Sequence, residues 1–143
     1  MSVKVFLDTN ILVYCFSDEI QKCAVAQTLL RTQAGVMTNV HALGEFVSIA
    51  TRKLKMDKEA AAECAHGFQK DIIVVPIGIE TFTSALRVMN RYKLSYWDSL
   101  IVASALESGC EVLYSEDLQH SQLFDKKLKV VNPFLASKAS RKH

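Results

Sequence analysis

No stretch of this sequence approaches the roughly 20 consecutive apolar residues that a membrane-spanning helix needs, so no membrane association is expected. The amino terminus does not read as a signal peptide: its apolar run is broken by Asp8 and Asn10, and no small-residue cleavage site follows. Internal repeats, linkers and low-complexity segments are missing. So is any C-x-x-C pair. Cys15, Cys23, Cys64 and Cys110 are scattered, and none has zinc-site spacing with a histidine. They are expected as small buried hydrophobes in a reducing cytoplasm. A large excess of one charge is lacking too; a formal +2 is too small to argue for a nucleic-acid partner by itself.

What is present suits one domain with a real core: 143 residues, half of them hydrophobic and 22% charged. The small net charge conceals a distribution. If four of the 15 acids gather on a metal, 17 cationic side chains face the remaining 11 acids. That balance suits a polyanionic substrate meeting an acidic, metal-loaded pocket.

The chain is organised around Val3-Lys4-Val5-Phe6-Leu7-Asp8-Thr9-Asn10. Val3, Val5, Phe6 and Leu7 suit a buried strand, and the run then halts on three polar residues. Such a carboxylate is a cap for a helix starting near Ile11, or a piece of chemistry at the carboxyl edge of a parallel sheet. Ser17 is expected to cap a second helix bearing Ile20, Cys23, Ala24, Gln27 and Leu30 at helical spacing, with Gly35 as its stop. A short strand, Val36-Met37-Thr38, leads to Asn39 as the cap of a two-faced helix. Leu43, Val47, Ala50 and Leu54 form its apolar stripe; His41, Glu45, Ser48 and Arg52 repeat the spacing on the opposite side. Glu45 there lines a cleft or faces solvent. Gly44 beside it costs the helix about 1 kcal/mol relative to alanine, which suggests that another backbone comes close.

Asp57 starts an alanine-rich helix with Ala61, Cys64, Ala65 and Phe68 inward. Ile72-Ile73-Val74-Val75 is expected as a third buried strand, and a helix from Ile79 to Tyr92 as burying Phe82, Ala85, Leu86 and Met89. The segment from Leu100 to Leu106 is apolar nearly all round, hence a deeply packed helix. Asp98 sits at its start, where Ser95-x-x-Asp98 fits a capping box and the helix dipole favours an ionised carboxylate. Gly109 ends that helix. A fourth strand, Glu111 to Tyr114, halts on Ser115-Glu116-Asp117, and Leu128 to Val131 is a last short strand.

Strands alternating with helices in this way predict an α/β fold, a Rossmann-like central parallel sheet flanked by helices. Asp8 and Asp117 then lie past strand carboxyl ends, and they meet if the first and fourth strands are neighbours. Asp98 and Glu45 can reach the same crevice from their helices. Carboxylates so crowded repel and hold raised pKa values unless a hard divalent cation joins them. Mg²⁺ prefers oxygen ligands and keeps several waters, leaving room for a phosphate.

Phe6-Leu7-Asp8-Thr9-Asn10-Ile11-Leu12, Glu45 on its helix, Tyr96-Trp97-Asp98-Ser99-Leu100-Ile101 and Leu113-Tyr114-Ser115-Glu116-Asp117-Leu118 together resemble a PIN domain. More narrowly they are similar to the toxin ribonucleases of bacterial VapBC toxin–antitoxin pairs, from about residue 3 to Phe134. The resemblance implies a PIN-like domain over residues 1–136 with a basic tail at 137–143. It also implies Mg²⁺- or Mn²⁺-dependent RNA cleavage, a homodimer and control by a cognate antitoxin. By the same resemblance Asp8, Glu45, Asp98 and Asp117 match the acidic metal site. Asn10 matches the polar residue that orients the first aspartate, and Ser115 stands where many relatives have threonine, keeping the hydroxyl.

Glu116 rivals Asp117, and Asp125 is a weaker rival; spacing from Ser115 favours Asp117. His120 is read as an incidental loop histidine. Tyr96 and Trp97 could stack on bases, but beside a buried helix they are expected in the core. Arg52, Lys53 and Lys55 are expected to meet phosphate. A haloacid-dehalogenase-like phosphatase is disfavoured because Asn10 stands where its second aspartate belongs. A non-catalytic binding module of the same fold is the other alternative, disfavoured because all four acids are present.

Overall fold

A computed structural model describes residues 3–135. The expected tail at 137–143, and its boundary with the domain, lie outside the described residues. The elements in chain order are β1 (Val5–Leu7), α1 (Thr9–Tyr14), α2 (Ile20–Thr32), β2 (Met37–Asn39), α3 (Val40–Arg52) and α4 (Lys58–Asp71). There follow β3 (Ile73–Val75), α5 (Ile79–Tyr92), α6 (Tyr96–Glu107), β4 (Val112–Tyr114), β5 (Leu123–Phe124) and β6 (Leu128–Val131).

The strand order is β3-β2-β1-β4-β6-β5. All pairings are parallel except that of β5 with β6, a short antiparallel edge that the sequence reading did not foresee. The order reverses between β1 and β4, so this pair marks the switch point where open α/β sheets bind ligands. Residues alternate across a strand, and β1 feeds both faces: Val5 and Leu7 enter one core, Phe6 the other. Burial on both faces is why its apolar run is continuous. The first core takes side chains from α1 to α4, including Ile11, Leu12, Phe46 and Phe68. The second takes Val88 of α5 and Ile101, Val102 and Ala105 of α6. Residues 99–105 of α6 are all buried, as an apolar circumference requires.

Capping explains most helix starts. Asp8, Asn39, Asp57 and Ser95 each accept a backbone N–H of the turn they open. The first of these helices starts at Thr9 rather than near Ile11.

Other expectations fail for local reasons. Ser17 does not cap α2; its Oγ accepts from Glu19 N and closes a turn one step earlier. The stripe assigned to α2 is rotated: Ile20 is 83% exposed, and Ala26 is the buried position. β3 is an edge strand with Ile73 exposed, and Phe82 of α5 is exposed while Val88 is buried. Nothing lies within 4 Å of a Cβ placed on Gly44, so no backbone packs there. Of the cysteines, Cys15 and Cys110 are buried whereas Cys23 and Cys64 are half-buried, and all four are free. Among the described residues no helix is long and apolar enough to cross a membrane.

Candidate functional site

β1 and β4 end side by side. Asp8 N bonds Tyr114 O at 3.0 Å and Ser115 N bonds Val131 O at 3.1 Å, so the ladder carries both residues just past the strands. Thr38 Oγ1 donates to Leu7 O, satisfying the last carbonyl of β1. Asp8 is therefore held rigidly, 7% exposed, at the switch point. Its Oδ1 accepts from Thr9 N at 2.7 Å, so the capping role and the place in the crevice coexist.

A compact polar network surrounds it. Ser115 Oγ donates to Asp8 Oδ2 at 2.7 Å and accepts from the backbone N–H groups of Asp117 and Leu118. Asn10 Nδ2 donates to Asp8 Oδ2 at 3.4 Å and to Asp117 Oδ2 at 3.2 Å. Its Oδ1 accepts from Glu116 N, which fixes the amide's orientation. One side-chain amide thus spans two carboxylates. Asn10 carries a carboxamide, which has no ionisable proton to transfer, so it cannot be the general acid that a dehalogenase-like phosphatase needs at that place.

From the facing side come α3 and α6. Asn39 caps α3 through Oδ1, and its Nδ2 donates to Ser104 Oγ of α6 at 2.9 Å, which locks the two helices together. Thr9 Oγ1 donates to Glu45 Oε1 at 2.9 Å and draws that carboxylate toward β1. Glu45 thus lines the cleft, resolving the choice between cleft and solvent. Asp8, Glu45, Asp98 and Asp117, with Asn10, line one cavity of about 330 Å³. Ser115 stands behind them, fully buried.

The electrostatics follow from this crowding. Burial, joined by Asp117 and Asp98, pushes Asp8 up to about 6, against the bonds from Ser115 and Thr9. Asp98 is also raised, first by burial and then by Asp117 and Glu45, although Ser95 pulls it down. Desolvation and the neighbouring acids thus work against the ionised form that the start of a helix favours. Among the described residues no three histidine, cysteine or acidic side chains form a ready-made metal cage. The donors are all hard oxygens around an open space, which suits a cation that retains water better than one that demands a closed protein shell.

The rivals are otherwise engaged. Glu116 touches the cavity but is bound to Lys22 and to Tyr14 Oη. Asp125 pairs with Arg87, whose guanidinium holds it below the usual carboxylate range. His120 Nδ1 accepts from Asn132 N and ties a loop together.

Two contributors, Thr9 and Trp97, differ from their expected roles, and a third, Lys53, is singled out from its group. Thr9 was visible only as part of the polar halt after β1. Lys53 is expected at phosphate only as one of three with Arg52 and Lys55, and of these it alone lines this cavity. Trp97, expected in the core, is 57% exposed, lines the cavity and stacks on His41. His41 Nε2 lies 3.4 Å from Glu45 Oε1 without hydrogen-bond alignment.

A family model described as PIN domain matches residues 5–125. The sequence matches no curated protein. Among solved structures, VapC20 of Mycobacterium tuberculosis, a toxin that cleaves the sarcin–ricin loop, superposes with a TM-score of 0.66. It is 20% identical, over 79% of this chain and 89% of that one. A toxin–antitoxin complex from Klebsiella pneumoniae gives 0.69 at 18% identity, covering 90% and 97%. DNA-bound VapBC from Salmonella typhimurium gives 0.65 at 16% identity, covering 92% and 98%. At these identities the likeness is one of fold.

Proposed function

The chain belongs to the PIN domain family, and from that premise we propose that it is a divalent-metal-dependent endoribonuclease, the toxin of a VapBC-type pair restrained by a cognate antitoxin. The observation that carries the reading is the bridging of Asp8 and Asp117 by Asn10, in a cavity shared with Glu45 and Asp98. Four acids gathered around one open space make sense as ligands for Mg²⁺ or Mn²⁺. The RNA substrate and the antitoxin are supported by the neighbours, which include an RNA-loop-cleaving toxin and several toxin–antitoxin assemblies.

Asp8, Glu45, Asp98 and Asp117 would hold the ion. Bound there, a divalent ion lowers the pKa of a water and offsets the charge that develops on a phosphodiester in the transition state. Ser115 and Asn10 fix the rotamer of Asp8, Thr9 fixes Glu45, and Ser95 fixes the start of the helix that presents Asp98. Lys53 supplies a cation to a neighbouring phosphate at the cavity's rim. The substrate is single-stranded or looped RNA, because a flexible strand enters a crevice more readily than a stiff duplex.

The test is cleavage of structured and unstructured RNA by the purified chain with Mg²⁺ or Mn²⁺, with EDTA as control. Asp98→Asn should abolish cleavage while leaving the fold intact. Cleavage that persists after the metal is stripped would overturn the mechanism. A short adjacent reading frame encoding a DNA-binding start and a basic tail would support the antitoxin.

A further inference from the structure

Trp97 is the only tryptophan in the chain, and it stands exposed at the mouth of the carboxylate cavity. Indoles normally bury most of their area, so one left in water at a polar site calls for an explanation. One face of the ring is covered by the nearly parallel imidazole of His41, at 4.7 Å and 12°. Tyr96 packs against the indole in a T-shaped arrangement, with ring centroids 4.9 Å apart and planes at 73°, and Tyr96 leans in turn on Phe82 at 5.9 Å. His41 belongs to α3 and Trp97 to α6, the two helices locked by Asn39 and Ser104. The indole is therefore braced on one face and open on the other, and little side-chain freedom remains to be lost when a flat ligand lands on it.

Its location narrows the ligand. Trp97 directly precedes Asp98, and both line the cavity that contains Asp8, Asp117 and Lys53. A second copy of this chain laid over the ring would close the mouth through which a substrate must enter. A nucleobase would not: it stacks while its own backbone runs down to the carboxylates. We propose that the open face of Trp97 is a nucleobase subsite. It stacks one unpaired base of the RNA strand, with the adjacent phosphodiester at the four acids and a flanking phosphate on Lys53. This rests on the ribonuclease reading above. Stacking accepts any base, but a purine overlaps the indole more than a pyrimidine does, so the subsite favours purines.

The single tryptophan makes the test direct. Indole emission of the full chain is followed with Ca²⁺ in place of Mg²⁺, so that strands are held and not cut. Short oligoadenylate should quench it saturably, oligouridylate should bind more weakly, and an abasic sugar–phosphate chain of equal length should leave it unchanged. Trp97→Ala lacks the fluorophore, so it is compared with wild type by the anisotropy of end-labelled strands; it should lose about fivefold to a hundredfold in affinity for oligoadenylate, the range set by single-base stacking. Its affinity for the abasic chain should hold, and Trp97→Phe should recover part of the loss. With Mg²⁺ the deficit should appear in KM and not in kcat. Equal quenching by the abasic chain, or oligoadenylate binding by Trp97→Ala at wild-type strength, overturns the subsite. So does an emission shift driven by protein concentration alone, which would place a second copy over the ring. Failure of wild type to cleave any RNA would instead sink the ribonuclease reading, with the emission experiment still deciding the subsite.

Discussion

Ser115 and Asp8 lie 107 residues apart in sequence and 2.7 Å apart in space, the hydroxyl donating to Oδ2 of the carboxylate, with both residues buried. Burial pushes Asp8 up to about 6, and the Ser115 hydrogen bond is the largest influence opposing it. The same hydroxyl accepts from Asp117 and Leu118, so it fixes the turn that carries the second aspartate. Ser115 thus positions both aspartates that are proposed to hold the ion.

Ser115→Ala should therefore cost about 1–3 kcal/mol of stability, because it leaves buried partners unpaired. It should also lower kcat and move the acid limb of the pH–rate profile upward, since Asp8 loses the bond that favours its ionised form. Ser115→Thr keeps the hydroxyl and should restore the profile. A Ser115→Ala profile that overlies wild type would show that the bond does not tune Asp8.

Asp8 also predicts how the metal-free protein responds to pH. Its folded pKa of about 6 lies above the unfolded 3.8, so between those values the folded state holds a proton that the unfolded state releases. Stability from this group consequently falls as pH rises through that window, and the whole cost, about 3 kcal/mol as an order of magnitude, is present above it. Asp98 is shifted in the same direction. Asp8→Asn removes the ionisation while nearly preserving shape. In EDTA at neutral pH it should be no less stable than wild type, and it should lack this component of the pH dependence. Its cleavage activity should be lost. Denaturant titrations of both proteins across the window decide the point: identical slopes would mean that Asp8 is not held protonated by its surroundings.

The parts of this arrangement that were legible in the sequence share a cause. β1 and α6 are buried all round, so their composition alone announces them, and the polar residues at their ends stand out by contrast. Asp8 and Asp98 were visible for that reason, and Asp117 because the short apolar strand β4 also halts on polar residues. Glu45 was ambiguous because its side of α3 is half-exposed, and the hydrogen bond from Thr9 that turns it inward spans 36 residues. Trp97 was misplaced because proximity to a buried helix was taken for burial, whereas a residue in the first turn of α6 can point past the core. The face of α2 was misread because its apolar residues are spread around the helix and only packing selects Ala26.

A homodimer is expected from the exposed apolar side chains. Ile79 is 77% exposed and Phe82 is also exposed, both on α5. Exposed aliphatic and aromatic groups on one helix favour association. Light scattering at tens of micromolar, a concentration on the order of common dimer affinities, should give twice the monomer mass. Phe82→Glu should shift that mass toward the monomer while the far-UV spectrum stays unchanged. A monomer at that concentration would count against the dimer.

The last prediction concerns the cation. The cavity lining offers carboxylates, an amide and hydroxyls, with no thiolate and no imidazole, so soft or nitrogen-preferring metals gain little there. Mg²⁺ and Mn²⁺ should support cleavage. Ca²⁺, larger and looser in its coordination, should bind without turning over efficiently. Binding of any of these ions should raise the melting temperature of wild type, because the folded state alone gathers the four acids. The rise should vanish in Asp8→Asn and shrink in Asn10→Ala, since Asn10 holds Asp8 and Asp117 toward each other. It should also weaken as pH falls through about 6, where protonation of Asp8 competes with the ion. Calorimetric titration with each ion, at one pH above that range and one below it, separates these outcomes. Equal Mg²⁺ affinity for wild type and Asp8→Asn would place the ion elsewhere and leave the acidic cavity without its assigned role.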